Sequence, residues 1–212
     1  MIIAFVFFLN SLHSKSKKAF DEYDEYFWSN FVKNEFNHRY FHKQKNIKLF
    51  FKDLQKYLKS PNQEFFSTFD LNSFVLKNYS GKMMDDAKNS IIPFLNEYFG
   101  IETQVSFLNM KCAINFCLND ISLTTNRYKK DLENKMQLNP QRINSYPYID
   151  RLLKNQGVGD ADRNVTLDGH DFACGNSSPV DFVTFDDVCY NGACNVDVLC
   201  FKSVRGKYDF NA

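Results

Sequence analysis

The densest chemistry in the chain lies at Asp168-Gly169-His170-Asp171, where an imidazole stands between two carboxylates in a glycine-containing turn. An imidazole titrates near neutral pH and works as a general base when it is suitably placed. Cys174 follows close behind, so His170 is also a candidate member of a nucleophile–base pair, provided the fold brings the two into hydrogen-bond contact. Read as an active site, the set points to a small hydrolase or nuclease-type toxin using His170 with Asp168 or Asp171. Read blandly, it is an exposed polar turn, which is the commoner use of such residues. Asp187 is a further candidate, because a carboxylate on an apolar strand face has its pKa raised by burial. Its ordinary alternative is a strand-edge residue that reaches solvent or pairs with Lys202 or Arg205.

Sulfur supplies the second kind of chemistry. Of six cysteines, Cys174, Cys189, Cys194 and Cys200 fall in the last fifth of the chain, with Cys112 and Cys117 upstream. Asn191-Gly192 is the preferred dipeptide of a two-residue type I′ turn, since both central residues need positive φ. That turn fixes a register in which Cys189 faces Cys194 in a non-hydrogen-bonded pair, with Cα atoms about 4.5 Å apart, within reach of a disulfide. The same register puts Val183, Phe185, Asp187, Val196, Val198 and Cys200 on one face. A disulfide set led by Cys189–Cys194, with Cys112, Cys174 and Cys200 as further candidates, requires an oxidising compartment. Three N-glycosylation sequons, at Asn78, Asn164 and Asn176, fit that compartment, although the pattern recurs by chance in an Asn-rich chain. A metal site from His170, Cys174, Cys189, Cys194 and Cys200 is the competing reading. Its C-x4-C and C-x5-C spacings match no zinc ribbon or ferredoxin run, so no metal and no cofactor is expected. Free thiols packed as small apolar side chains are the third possibility.

Nearer the start, Glu35, His38 and His42 share a helix face. Glu-x-x-His is half of a di-iron pattern whose second copy is missing, and a solvated helix accounts for it. The stretch His38 to Lys48 mixes basic and aromatic residues, which reads first as a solvated helix, with nucleic-acid binding through residues 38–59 as the less favoured alternative. No GxSxG elbow, P-loop, HExxH or GxGxxG fingerprint occurs.

The elements that must position these groups follow from periodicity. Phe20, Tyr23, Phe27 and Phe31, then Ile47, Phe50, Leu54, Tyr57 and Leu58, step by three and four and predict helix over 19–59, stopped by Ser60-Pro61. Met83, Met84, Ala87 and Ile91 give a short helical face, and Gly100 sits where a C-terminal glycine cap would. Residues 108–118 alternate apolar with mostly polar side chains, which predicts a strand with Cys112 inward and Cys117 outward. Helices are expected over Arg127–Leu138 and Ser145–Gly157. The apolar run Ile2–Leu9 reads as a core plug, with a signal or short anchor as alternatives. The fold class expected is α+β: a helical N-terminal portion followed by a Cys-rich antiparallel β C-terminal unit. The parts are 1–100 (mainly helical, aromatic-rich), 101–157 (buried strand plus two helices) and 158–212 (acidic hairpin unit), or else one continuous domain.

Composition sets the outer limits. The 212 residues are 44% hydrophobic and 24% charged, enough for a packed core and too apolar for a disordered chain. Net charge is +1, so bulk electrostatics select neither nucleic acid nor an anionic membrane. Charge is uneven, however: residues 1–60 hold 11 basic against 6 acidic side chains, and residues 158–212 hold 4 against 9. No apolar run reaches the roughly 18 residues of a membrane span. Twenty-three Phe, 23 Asn and 20 Lys against 6 Arg suggest an AT-rich genome, viral, organellar or a parasite's. With 17% aromatic residues and no convergent catalytic set, the function expected is a non-catalytic structural or interaction protein. It would be an accessory subunit of a larger assembly or a secreted or viral surface component, with protein partners and an oxidising location favoured over an organellar or cytoplasmic one.

Overall fold

A computed structural model of the chain describes residues 1–58, 65–81, 87–98, 104–196 and 199–211. The Ser60-Pro61 stop, the Met83-Met84 face, the Gly100 cap and Val198 lie outside the described residues. Mixed α and β structure is present, mostly helix with short strands.

Ile2–Val6 forms α1 and His13–Asp21 forms α2. Ala4, Phe5, Val6 and Phe7 are buried, so the apolar start of the chain packs into the core. The helix expected over 19–59 is interrupted. Tyr26–Trp28, three aromatic residues suited to a pleated surface, form strand β1, and Asn30–Tyr57 resumes as α3. Ser29 divides the two by accepting the Val32 amide at 3.3 Å as N-cap. β2 (Phe65–Ser67) leads through a capping box of Ser67 and Asp70 into α4 (Thr68–Asn78). A π turn at Ala87–Ile91 runs into α5 (Ile92–Tyr98). β3 (Gln104–Ser106) pairs antiparallel with β2 and opens α6 (Phe107–Lys135).

The long helix α6 replaces the strand expected at 108–118. Met110, Ala113, Ile114, Cys117 and Ile121 are buried at helical spacing. Leu108, Cys112 and Phe116, every second member of the apolar alternation, face solvent instead. The two cysteines are therefore reversed: Cys117 is inside and Cys112 outside. The helix expected from Arg127 is the end of the same element, which stops at Lys135 before strand β4 (Met136–Leu138).

β4 pairs in parallel with β1, setting Tyr26 opposite Met136 and Trp28 opposite Leu138. α1, α3 and α6 pack together around one large core that includes Phe20, Phe36, Phe50, Phe51, Leu54 and Ile114.

The remaining chain forms α7 (Pro147–Asn155), α8 (Asp160–Gly175), β5 (Asp181–Val183), α9 (Asp187–Cys194) and β6 (Ser203–Arg205). The antiparallel hairpin is not found. β5 and β6 are parallel, with Asp181 opposite Ser203, and the helix that must carry the chain back between parallel strands is α9 itself. Asn191-Gly192 lies within that helix, started by Asp186, whose carboxylate accepts the Cys189 amide at 2.9 Å. Gly192 does not take positive φ, which among the described residues occurs only at Gly81 and Gly157. Its lack of a side chain has another use: a Cβ there would lie 2.3 Å from Cγ2 of Val158. The glycine lets α9 lie close against a second small core of Ile149, Leu153, Val158, Leu167 and Val196.

Candidate functional site

The expected turn at Asp168–Asp171 is the interior of α8. Gly169 is tolerated there because a Cβ would press on Phe201 at 3.3 Å and Phe182 at 3.4 Å, two rings stacked with centroids 4.9 Å apart. One residue on, His170 points inward and is buried. Tyr146 and Phe201 hold its ring edge-on, with centroids at 4.5 and 6.4 Å. Burial pulls its pKa down against the opposing charge of Asp171, so the ring is neutral near pH 7. Its Nδ1 accepts the Cys200 amide at 2.9 Å, which places the ring proton on Nε2. That nitrogen lies 3.6 Å from Sγ of Cys174, one helical turn along α8.

Cys174 is bonded to Cys200, with Cα atoms 5.5 Å apart. This is the disulfide of the chain's described part, and it corrects the Cys189–Cys194 pairing. Those two residues stand five apart on α9, about 140° around the helix, so Cys189 is buried and Cys194 exposed, both as thiols. Cys112 is likewise a free, exposed thiol.

Neither neighbouring carboxylate orients the imidazole. Asp171 turns to the loop before α7, accepting from Tyr146 Oη at 2.6 Å, the Ile143 amide at 3.0 Å and Asn144 Nδ2 at 3.0 Å. Burial pushes its pKa up, but these donors outweigh it and hold the carboxyl below its usual range. Asp168 faces Arg142, with Nε at 3.6 Å. Burial raises its pKa, with Arg142 and Ser29 opposing the rise. Asp187, expected on an apolar face, is exposed in the first turn of α9 and pairs with Lys207 at 2.5 Å.

Among the described residues, His170, Cys174 and Cys200 are the one group of metal-type donors that converges, all within 4.8 Å. Both sulfurs are spent on each other and Nδ1 is filled by an amide, so the set as folded offers a metal no thiolate. Glu35 is taken by Arg39, while His38 and His42 lie with tilted rings 4.5 Å apart on the exposed side of α3. Along 38–59, whose last residue lies outside the described residues, Lys45, Lys48 and Lys52 face outward with Phe41, but Tyr40, Phe50 and Phe51 are buried and cannot stack on bases. Asn78 ends α4, Asn164 bonds Arg142 from α8, and Asn176 caps the C-terminus of α8.

Sequence reasoning missed a cleft of about 670 Å³ between β1, the start of α3, α8 and β5. Phe27 and Phe172 meet across its wall at 4.6 Å, and Trp28 lies beside them. Glu35, Arg39, Asp162 and Asp186 supply charge. Burial raises the pKa of Asp162, with the Asp186 and Glu35 carboxylates adding to the rise. These residues come from segments more than a hundred positions apart, and only the high aromatic content hinted at such a wall.

Comparison of the chain with protein-family models, with curated proteins and with solved structures gives no match.

Proposed function

We propose that the chain is a non-catalytic interaction protein, a subunit of a larger assembly or a secreted or viral surface component, that associates through the outer face of α6. The supporting observation is the stripe Leu108, Phe116 and Leu123, which are 66%, 64% and 68% exposed, with Cys112 between the first two. Singly exposed apolar residues are ordinary, but a row of them along one helix face supports reading that face as a contact surface. The stripe suits a second copy of the chain. Leu108 and Leu123 are about 22 Å apart along the helix with Phe116 near the midpoint, so antiparallel packing about a two-fold axis seats each Leu108 against the other copy's Leu123. Size-exclusion chromatography with light scattering tests this. A dimer that becomes monomeric on Phe116→Glu with Leu123→Glu supports it, and a strict monomer at high concentration overturns it.

The cleft favours a second reading, capture of a small organic molecule, because its volume lies within the roughly 300–1,000 Å³ of such sites and aromatic rings line it. Trp28 is the chain's single tryptophan, so a fluorescence screen with amine-bearing aromatic compounds reads the site directly. Failure of every compound to shift or quench that emission counts against this reading.

A further inference from the structure

We propose that the cleft between β1, α3, α8 and β5 takes a primary ammonium compound with an aromatic body, its ammonium held by Asp162 and Asp186 and its ring by Phe27, Phe172 and Trp28. This rests on the reading of the cleft as a small-molecule site and adds the class of ligand. Six carboxylate side chains line the cleft against two cationic ones, Arg39 and Lys202. Two of the six are engaged: Glu35 pairs with Arg39, and Asp181 accepts from Tyr23 Oη at 3.0 Å and Ser203 Oγ at 2.7 Å. Asp162 is half-buried and has no hydrogen bond or ion pair among the described residues. Its charged neighbours are the Asp186 and Glu35 carboxylates and Arg39, and Arg39 is committed to Glu35. Asp186 caps α9 by accepting the Cys189 amide, but no cation pairs with it among the described residues. The Met1 amine faces Asp186 and Glu35, yet burial lowers it to about 6, so it is mostly neutral at pH 7 and leaves their charge in place.

Asn139 is a further acceptor without a donor. It lines the cleft, is 8% exposed, and its Oδ1 has no hydrogen-bond partner. A buried acceptor left unmet is costly, and a ligand that brings a donor removes that cost. What the cleft lacks is therefore donors carrying positive charge. A primary ammonium supplies three N–H donors and one unit of charge. Carboxylates take it in charge-assisted hydrogen bonds, and aromatic faces attract the same cation. The wall where Phe27 and Phe172 meet at 4.6 Å beside Trp28 offers such faces and apolar cover for a ring. A carboxylate ligand meets repulsion there, and a neutral one leaves Asp162 and Asp186 uncompensated. Charge thus selects one class among the molecules that about 670 Å³ can hold.

Calorimetric titration of the full chain at pH 7, with the emission of Trp28, its single tryptophan, followed in parallel, tests this with four probes. Phenethylamine should bind, shift the emission, and do so at least about tenfold more tightly than phenethyl alcohol, the low end for a hydrogen bond to a charged group. Butylamine, which keeps the charge and loses the ring, should be weaker by about tenfold or more. Phenylacetate should not bind. Asp162→Asn with Asp186→Asn keeps both shapes and the cap of α9, and should bring phenethylamine down to the level of phenethyl alcohol. Equal binding by phenethylamine and phenethyl alcohol, or by phenethylamine and butylamine, overturns the proposal and leaves the wider small-molecule reading standing. No binding by any probe overturns both. Phenethylamine binding that moves neither the Trp28 emission nor, in the double variant, its own affinity lies elsewhere and overturns the proposal. If the double variant does not fold, the four probes on the native chain decide alone.

Discussion

Tyr146, Asn144 and the Ile143 amide all donate to the one carboxylate of Asp171, and this makes the pairing sensitive to acid. The folded pKa lies below the ordinary value of 3.8, so the stabilisation is complete above that value and disappears as pH falls through the folded one. Tyr146→Phe should cost about 1 kcal/mol at pH 7, near the low end for a bond to a charged acceptor because the site is half open to water. Urea titrations at pH 7 and pH 3 check it, with the gap between variant and native chain narrowing at the lower pH. A second expectation concerns sulfur: in the native chain, iodoacetamide should modify Cys112 and Cys194 but leave Cys117 and Cys189 until denaturant is added, as peptide mass mapping would show. At this scale the sequence was half legible. His170 and Cys174 are close enough in sequence to meet on one helix, but Cys200 reaches them only because the loop before β6 is carried there by strand pairing that no local pattern records.

At the scale of elements, two misreadings share a cause. The alternation over 108–118 obeys a period of two, yet Met110, Ala113, Ile114 and Cys117 within it, continued by Ile121 beyond it, are buried at helical spacing. Ser106, accepting the Asn109 amide at 3.3 Å, starts the helix and settles the choice. Asn191-Gly192 reads as a turn because glycine has two uses, positive φ and close approach, and only the fold distinguishes them. Where no such ambiguity exists the reading held: Pro147 and the apolar spacing beyond it place α7 within the expected 145–157. The close approach is testable. Gly192→Ala should destabilise the chain by roughly 1–3 kcal/mol, since Val158 is buried and cannot give way freely. Adding Val158→Ala should recover part of the loss at the site of contact, measured as a double-mutant cycle in thermal melts.

Across the whole molecule, the C-terminal segment is tied to the helical part by varied links. Arg205 pairs with Glu22, Tyr23 donates to Asp181 at 3.0 Å, and Phe210 packs with Ala19 and Phe185. The disulfide closes a loop of 26 residues within that segment. Cys174→Ser with Cys200→Ser should therefore lower stability by about 3.5 kcal/mol in the chain-entropy account, with the loss read from chemical denaturation of the double variant beside the native chain. The mixed α and β class agrees with the reading, but the change of composition misplaced the strands: β1 to β4 lie before residue 139, and helices α7, α8 and α9 make up most of the regular structure after it. The parallel arrangement was not legible, because register across long loops depends on contacts that neither partner strand encodes alone.

The pairing of β1 with β4 has a temporal side as well. Tyr26–Trp28 waits for Met136–Leu138, which the ribosome makes more than a hundred residues afterwards, roughly 5–20 seconds at ordinary synthesis rates. Until then the aromatic strand has an open edge, and closing so long a loop is slow. A chain truncated before residue 136 is expected to lack the partner of β1 and to leave Tyr26–Trp28 with an unpaired edge.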